Sequence, residues 1–281
     1  RTGRYFWTHA MEPLVSIIMP AYNSEHYIEE AIASVIAQSH TNWQLLVVND
    51  GSRDRTAEIL LRYHDPRIEV FHQANGGIGN ARNKGLAHVR GEFVCFLDSD
   101  DVLPANSIGS RIAIFQRFPD TDMVDGRVVQ MDKGLRMRLQ EYMPTFTGKP
   151  FTELVRLTGS CFAGITWMVR WDPLLALRFN EDTSHMEDML FCLQYSPGRM
   201  YRYTLDTVLI YRRTGHSSMS DLDGLWRSYR FVYQWIQAQG TAQPADLRRY
   251  RMKSRSIMVK SYLLAGEPFK AIKTLFDRVA R

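Results

Sequence analysis

Residues Gly91 to Asp101 read GEFVCFLDSDD, an apolar run of strand type that ends in Asp98, Asp100 and Asp101. Carboxylates crowded this closely repel one another, and packing a core has no use for them, so the pattern points to a cation supplied from outside. A D-x-D pair on the turn after a strand offers hard oxygen ligands suited to Mg²⁺ or Mn²⁺. On that reading Asp100 takes the metal, Asp98 turns toward a ribose, and Ser99 sits between them against the nucleotide. The same residues also make sense as an acidic turn in which Asp98 or Asp101 caps the helix that follows Leu103.

Two further stretches carry chemistry of a complementary kind. In NDGSRDRT, Asp50 is suited to accept a hydrogen bond from N3 of a uracil, which would reject other bases by leaving the carboxylate unpaired. The alternative is an Asp-Gly turn followed by a helix capped by Asp54. In NGGIGNARNKG, glycines 76, 77 and 79 precede a helix whose first turn carries Arg82, so backbone N–H groups and a guanidinium can face a phosphate together. The spacing spells neither the dinucleotide fingerprint nor the P-loop.

The elements that must position these residues alternate. Leu14–Met19 is strand-like, residues 24–39 helical with Ile28, Ile32, Val35 and Ile36 on one face, and QLLVVND a second strand. A helix (54–64), a strand (67–73), a helix (79–89) and a strand (92–98) come next. This rhythm implies an α/β fold, a mostly parallel sheet with helices on both faces. Ligands of such sheets sit at the carboxyl ends of the strands. The loops there are PAYN (Pro20, Ala21, Tyr22, Asn23), NDGS, NGGIG and DSDD, and a single crevice lined by all four is expected. Further on, Leu103–Phe118 is expected as a helix, MVDGRVVQM as a strand, and ITWMVRW and YRYTLDTVLIYRR as strands around the helix HMEDMLFCLQYS. From about Asp223 the chain becomes a basic C-terminal helical region.

SIIMPAYN, VVNDGSRDRT, GGIGNARNKGL and GEFVCFLDSDD, in this order across Val15 to Leu103, resemble the family 2 nucleotide-sugar glycosyltransferases of bacterial polysaccharide synthesis, which have the GT-A (Rossmann-like) fold. The resemblance implies transfer of a sugar from a nucleotide diphosphate donor, usually UDP-linked, with inversion at the anomeric carbon. It places Pro20 to Tyr22 and Asp50 on the base, Arg82 near the nucleotide, Asp98 near the ribose and Asp100 on the metal. It also implies a base from an E-D pair opening a helix. Glu187 and Asp188 offer it, with Asp188 as base and Glu187 orienting the site or binding acceptor. Adjacent helical residues point about 100° apart, so one of the two is expected to face the crevice; both acids would otherwise simply suit a helix N-terminus. YRRTGHSSMS resembles the segment that closes over the diphosphate, with His216 on the metal and Arg212, Arg213, Ser217 and Ser218 on phosphate oxygens. The expected division is an N-terminal extension (1–12), a nucleotide-sugar-binding half (13–103), an acceptor-binding and catalytic half (104–222) and the helical region (223–281). The donor is then a UDP-sugar and the acceptor a glycan or lipid-linked glycan.

Composition narrows the alternatives. With 281 residues, 45% of them hydrophobic, the chain buries a substantial core and is not disordered. Cys95, Cys161 and Cys192 match no zinc spacing and no closed disulfide framework, as in a reducing compartment. No apolar run reaches the roughly 18 residues that cross a bilayer, so a cytoplasmic protein is expected, soluble or peripheral on the inner face of the membrane. RTGRYFWTHA, before Met11, does not share the strand and helix rhythm of the rest of the chain. From Trp226 onward 12 Lys or Arg stand against three acids, within a net charge of +5. Nucleic acid is not the expected partner. The rings of Trp226, Tyr229, Tyr233, Trp235, Tyr250 and Tyr262 belong either to the core, with Arg248, Arg249, Arg251, Lys253 and Arg255 as a solvated face, or to a membrane surface. Two other functions use related features. A sugar-1-phosphate nucleotidyltransferase shares the acidic site but carries a glycine-rich run with Arg and Lys after its first strand, which PAYNSEHY lacks. A polyanion-binding protein would leave DSDD and HMED without purpose.

Overall fold

The structure, a computed structural model, describes residues 12–277 apart from 163, 184 and 216–219. Its first half keeps to the alternation: β1 (Val15–Ala21), α1 (Ile28–Ile36), β2 (Trp43–Asp50), α2 (Thr56–Leu60), β3 (Ile68–Gln73), α3 (Ile78–Leu86) and β4 (Phe93–Phe96). Then come α4 (Ser107–Arg117), β5 (Met123–Asp132), β6 (Arg138–Tyr142), α5 (Phe151–Val155), β7 (Met168–Arg170) and a short 3₁₀ turn. The chain continues with α6 (Glu187–Tyr195), β8 (Tyr201–Arg213), α7 (Leu222–Gln239), α8 (Pro244–Leu264) and α9 (Pro268–Phe276).

The eight strands form one sheet in the order β3-β2-β1-β4-β7-β5-β6, with β8 parallel to β5 along its other edge. β1 pairs in parallel with β2 and β4, and β2 with β3, as the alternation implies. β7 runs antiparallel to both β4 and β5, and so joins the two halves of the sheet. β1 and β2 are buried at every position, as strands covered on both faces must be.

Alternate residues divide between two apolar layers. Ile17, Met19, Leu45 and Val47 meet α1 and α4 on one face, through Ile28, Ile32, Ile108 and Phe115. Ile18, Leu46, Val94 and Phe96 meet the other layer, to which α3, α5, α6, α7 and α8 contribute. Arg82-bearing α3 and acid-bearing α6 therefore share one side of the sheet. Glycine lets α3 come close: a Cβ on Gly85 would lie 2.6 Å from Ile18 Cγ2, and one on Gly79 2.6 Å from the Asn180 carbonyl oxygen.

Several boundaries differ from the expectation. α1 begins at Ile28 rather than residue 24, because Ser24 faces inward, its N–H on Thr56 Oγ1 and its hydroxyl on Ser99 Oγ. α4 begins at Ser107, so neither Asp98 nor Asp101 caps it. β6 lacked a strand-like sequence because its first three residues, Arg138, Leu139 and Gln140, are exposed. The C-terminal rings are core: Trp226, Tyr233, Tyr250 and Tyr262 are buried, and Tyr229 and Trp235 pack against the same cluster.

Candidate active site

The loops at the strand ends meet as expected and are stitched to one another. Asn23 N–H donates to Ser52 Oγ at 3.0 Å, Arg53 N–H to Asn23 Oδ1 at 2.8 Å, and the hydroxyls of Ser24 and Ser99 are 2.6 Å apart. Pro20 and Ala21 are buried at the end of β1, while Tyr22 is 48% exposed. Asp50 is buried, and both of its carboxyl oxygens are engaged: Oδ1 accepts from Gln73 Nε2 and Gly76 N–H, Oδ2 from Gly77 N–H, each at 2.8 Å. The glycine turn thus gives these N–H groups to Asp50, where the sequence suggested a phosphate. Each carboxylate oxygen can accept more than one bond, so Asp50 retains acceptor capacity.

Arg82 differs most from its expected setting. Only 2% exposed, it donates from Nη2 to Asp98 Oδ1 at 2.8 Å and from Nη1 to Glu187 Oε1 at 2.7 Å. Where a phosphate was expected, the guanidinium joins the turn after β4 to the start of α6. A planar fork matches two carboxylates in a way an ammonium would not.

The acid turn is braced from behind by β8. Val102 and Ile210 exchange backbone hydrogen bonds, and Arg212 N–H donates to Asp101 Oδ1 at 2.8 Å. The Arg212 side chain is buried too. It donates from Nε to the Asp100 carbonyl, from Nη1 to the Lys133 carbonyl and from Nη2 to Glu30. For the phosphate contact expected of Arg212, these bonds would have to break. Arg213, on the opposite face of the strand, is exposed. His216, Ser217 and Ser218 lie outside the described residues.

Three carboxyl groups here are held above the ordinary range. Asp100 is pushed up to about 6, first by burial and then by the Asp98 charge. Burial, with Asp98 and Asp100 nearby, raises Asp101 well above it. Asp188 rises to about 7, chiefly from burial and next from the Glu187 charge, with Arg82 opposing. Asp188 Oδ1 accepts from Met189 N–H at 2.7 Å. The residue before the pair, Met186, has φ +63, a left-handed conformation that is strained for methionine and typical of functional turns.

A cleft of about 840 Å³ brings part of this set together: Arg82, Asp98 and Asp101 line it, and so do Glu187 and Asp188, whereas the PAYN and NDGS loops do not. The expectation that a single member of the pair would face the crevice therefore fails. Both stand in the first helical turn, where Arg82 draws Glu187 inward. Tyr142, Phe162, Leu225, Tyr229 and Ile257 give the same cleft an apolar wall.

Asp100, the expected metal ligand, has the hard oxygens a divalent cation would take, but it is part-buried and is not among the residues that line this cleft. Among the described residues no three side chains cluster as a ready-made metal cage. Mg²⁺ and Mn²⁺ sites in phosphate chemistry commonly take one or two carboxylates and complete their shell from the substrate and water. Glu181 was not singled out from sequence, yet it accepts from Asn80 Nδ2 at 2.9 Å and Asn83 Nδ2 at 2.7 Å, clasping the segment before α6 onto α3. Nor was Asp125, a buried β5 carboxyl raised to about 6 by burial, which accepts from Tyr201 Oη. No local sequence signal marks either, since their partners are remote.

An acid-lined cleft beside the strand ends of this mixed sheet, with helices on both faces, is the GT-A architecture. The chain belongs to glycosyl transferase family 2, whose profile matches residues 16–174. It is 44% identical over 102 residues to the Escherichia coli enzyme WfgD, a UDP-Glc:alpha-D-GlcNAc-diphosphoundecaprenol beta-1,3-glucosyltransferase, covering 36% of this chain and 40% of WfgD. It is 45% identical over 112 residues to the Bacillus subtilis glycosyltransferase EpsJ, covering 39% of this chain and 30% of EpsJ. The matches thus span well under half the length of these relatives. Among solved structures, residues 1–349 of S. aureus TarS, crystallised with UDP-GlcNAc, superimpose with a TM-score of 0.67 at 22% identity, covering 88% of this chain and 72% of that one. Membership of this family sets aside the nucleotidyltransferase and polyanion-binding alternatives.

Proposed function

We propose that this chain is a metal-dependent, inverting glycosyltransferase that moves a sugar from a UDP-sugar to a hydroxyl of a glycan or lipid-linked glycan, in surface polysaccharide or lipopolysaccharide biosynthesis. The observation that carries this reading is the placing of Asp188, with its raised affinity for a proton, in the same cleft as the acid turn after β4. The activity that WfgD's name states, UDP-Glc-dependent transfer, supports the donor class. In this reading the protein acts in the cytoplasm, at the inner face of the cytoplasmic membrane.

Asp188 takes the proton of the acceptor hydroxyl as its oxygen attacks the anomeric carbon. The bond from that carbon to the diphosphate oxygen breaks, and its electron pair leaves with UDP. A base with a pKa near the working pH combines availability with driving force, which is what burial does to Asp188. Glu187, held by Arg82, orients the site, and Asp98 faces the ribose while Pro20, Ala21, Tyr22, Asn23, Asp50 and Ser99 form the nucleotide side. Asp100, with His216, would hold Mg²⁺ or Mn²⁺, which when bound offsets the charge developing on the departing diphosphate. Arg213, Ser217 and Ser218 would contact phosphate oxygens.

The test is incubation with a panel of UDP-sugars and Mn²⁺, which should release UDP slowly from the correct donor. Asp188→Asn should abolish transfer and keep UDP binding by calorimetry, whereas Asp100→Asn should weaken that binding. The opposite pattern would reverse the assignments, and no turnover of any UDP-sugar would dismiss the donor class.

A further inference from the structure

α9 is built the wrong way round for a helix that completes a core. Its buried residues are the small Ala271 and Thr274, while Phe269 and Phe276 are 87% and 80% exposed. Ile272 and Leu275 are exposed as well, and beside them at the end of α8 stand Leu263 and Leu264, the latter 79% exposed. A soluble surface normally scatters its large apolar residues singly, so a cluster of six at one corner marks a surface meant to be covered.

The charge around the corner indicates what covers it. From Leu247 to Asp277 eight Lys or Arg stand against two acids, Glu267 and Asp277, and one of the eight, Lys270, is held by Asp223 and Glu267. Arg248, Arg249, Lys253, Lys260 and Lys273 are exposed. Two helices are joined there at Gly266, with Lys260 and Lys273 exposed beside the apolar side chains and Lys253, Arg249 and Arg248 farther back along α8. That combination suits the interface of an anionic bilayer, where apolar groups enter the acyl boundary and basic side chains meet head groups.

We propose that α9 and the adjoining end of α8 seat the protein on an anionic lipid surface, with Phe269, Ile272 and Phe276 inserted. The proposal deepens the reading of a membrane-associated transferase and rests on it for its purpose. The corner is tied rigidly to the cleft: Asp277 at the end of α9 accepts from Trp226 Nε1 of α7 at 2.9 Å, and its carbonyl accepts from Arg255 Nη2 of α8 at 2.6 Å. α7 and α8 in turn supply Leu225, Tyr229 and Ile257 to the cleft wall. A lipid-borne acceptor at the bilayer would thus meet a cleft built partly by the same two helices that hold the seat.

The experiment is co-sedimentation of the chain with vesicles of phosphatidylethanolamine and phosphatidylglycerol, against vesicles of phosphatidylcholine alone. Binding is expected to the anionic vesicles and to weaken with added salt. The triple variant Phe269→Ser, Ile272→Ser, Phe276→Ser should lower the partition coefficient by more than about tenfold. These side chains are exposed, so its circular dichroism should match the parent. In a second protein, Phe269→Trp, the indole emission should shift to the blue with anionic vesicles. Equal partitioning of parent and triple variant overturns the proposal, as does failure of the parent to bind. So does sedimentation equilibrium showing a dimer that the triple variant dissolves, since the face would then join two copies. UDP-sugar hydrolysis without vesicles should be the same in parent and variant, so failed lipid binding and failed donor turnover are separate results.

Discussion

Replacing Arg82 by methionine removes one cation from between two carboxylates without opening a large void. At an effective dielectric near 20 each unit charge pair at about 4 Å is worth roughly 4 kcal/mol, and desolvating the guanidinium offsets much of the gross sum. The Asp98 side chain is 35% exposed, so its share is screened by water, and the share of Glu187, 11% exposed, dominates. Breaking a buried pair and leaving one charge behind typically costs about 3–5 kcal/mol, a large part of a domain's stability of about 5–15 kcal/mol. The loss should depend on pH through Asp188. Its folded-state affinity for a proton is already raised, so its favourable contribution is full below the ordinary carboxylate value of 3.8 and is lost as pH rises through about 7. Arg82 opposes that rise, so Arg82→Met should raise it further and make the loss larger at high pH. Urea unfolding followed by tryptophan fluorescence should show a deficit of at least about 3 kcal/mol above neutral pH, narrowing in mild acid. Arg82→Lys should recover part of it, since the charge remains and the fork does not. A deficit under about 1 kcal/mol, or one independent of pH, would refute the view that Arg82 is the internal counter-charge of the site.

With Asp188 as base, the rate of transfer should climb with pH through about 7, and a profile already flat across that range would remove Asp188 from the role. Arg212→Ala should lower stability by about 3 kcal/mol and weaken UDP binding, because the acid turn loses its brace. Arg212→Lys should not restore it, and calorimetry with UDP reads both. Gly85→Ala should destabilise by about 1–3 kcal/mol despite alanine's better helix propensity, since the new Cβ meets Ile18 in the sheet; a gain in melting temperature would show that α3 can retreat.

What the sequence determined by itself was what depends on near neighbours along the chain. Period-two apolar runs, glycine turns and amphipathic stretches set out the strand and helix order from β1 to β4, and with it the loops that are hydrogen-bonded to one another at the strand ends. Their ordered motifs also carried the family resemblance. Charge pairing was different, because a carboxylate's partner is whichever cation the fold brings alongside. Arg82 reaches Asp98 at a separation of 16 residues and Glu187 at 105, while the Arg212 guanidinium reaches Glu30 at 182 and its backbone N–H reaches Asp101 at 111. No local pattern contains those distances. So the crowded acids after β4 did call for positive charge, as their mutual repulsion required, but tertiary structure decided that two arginines of the chain meet part of that demand. Folding also decided which aromatics became core and which apolar residues of α9 stayed outside, because burial belongs to the packed assembly of elements rather than to any one of them.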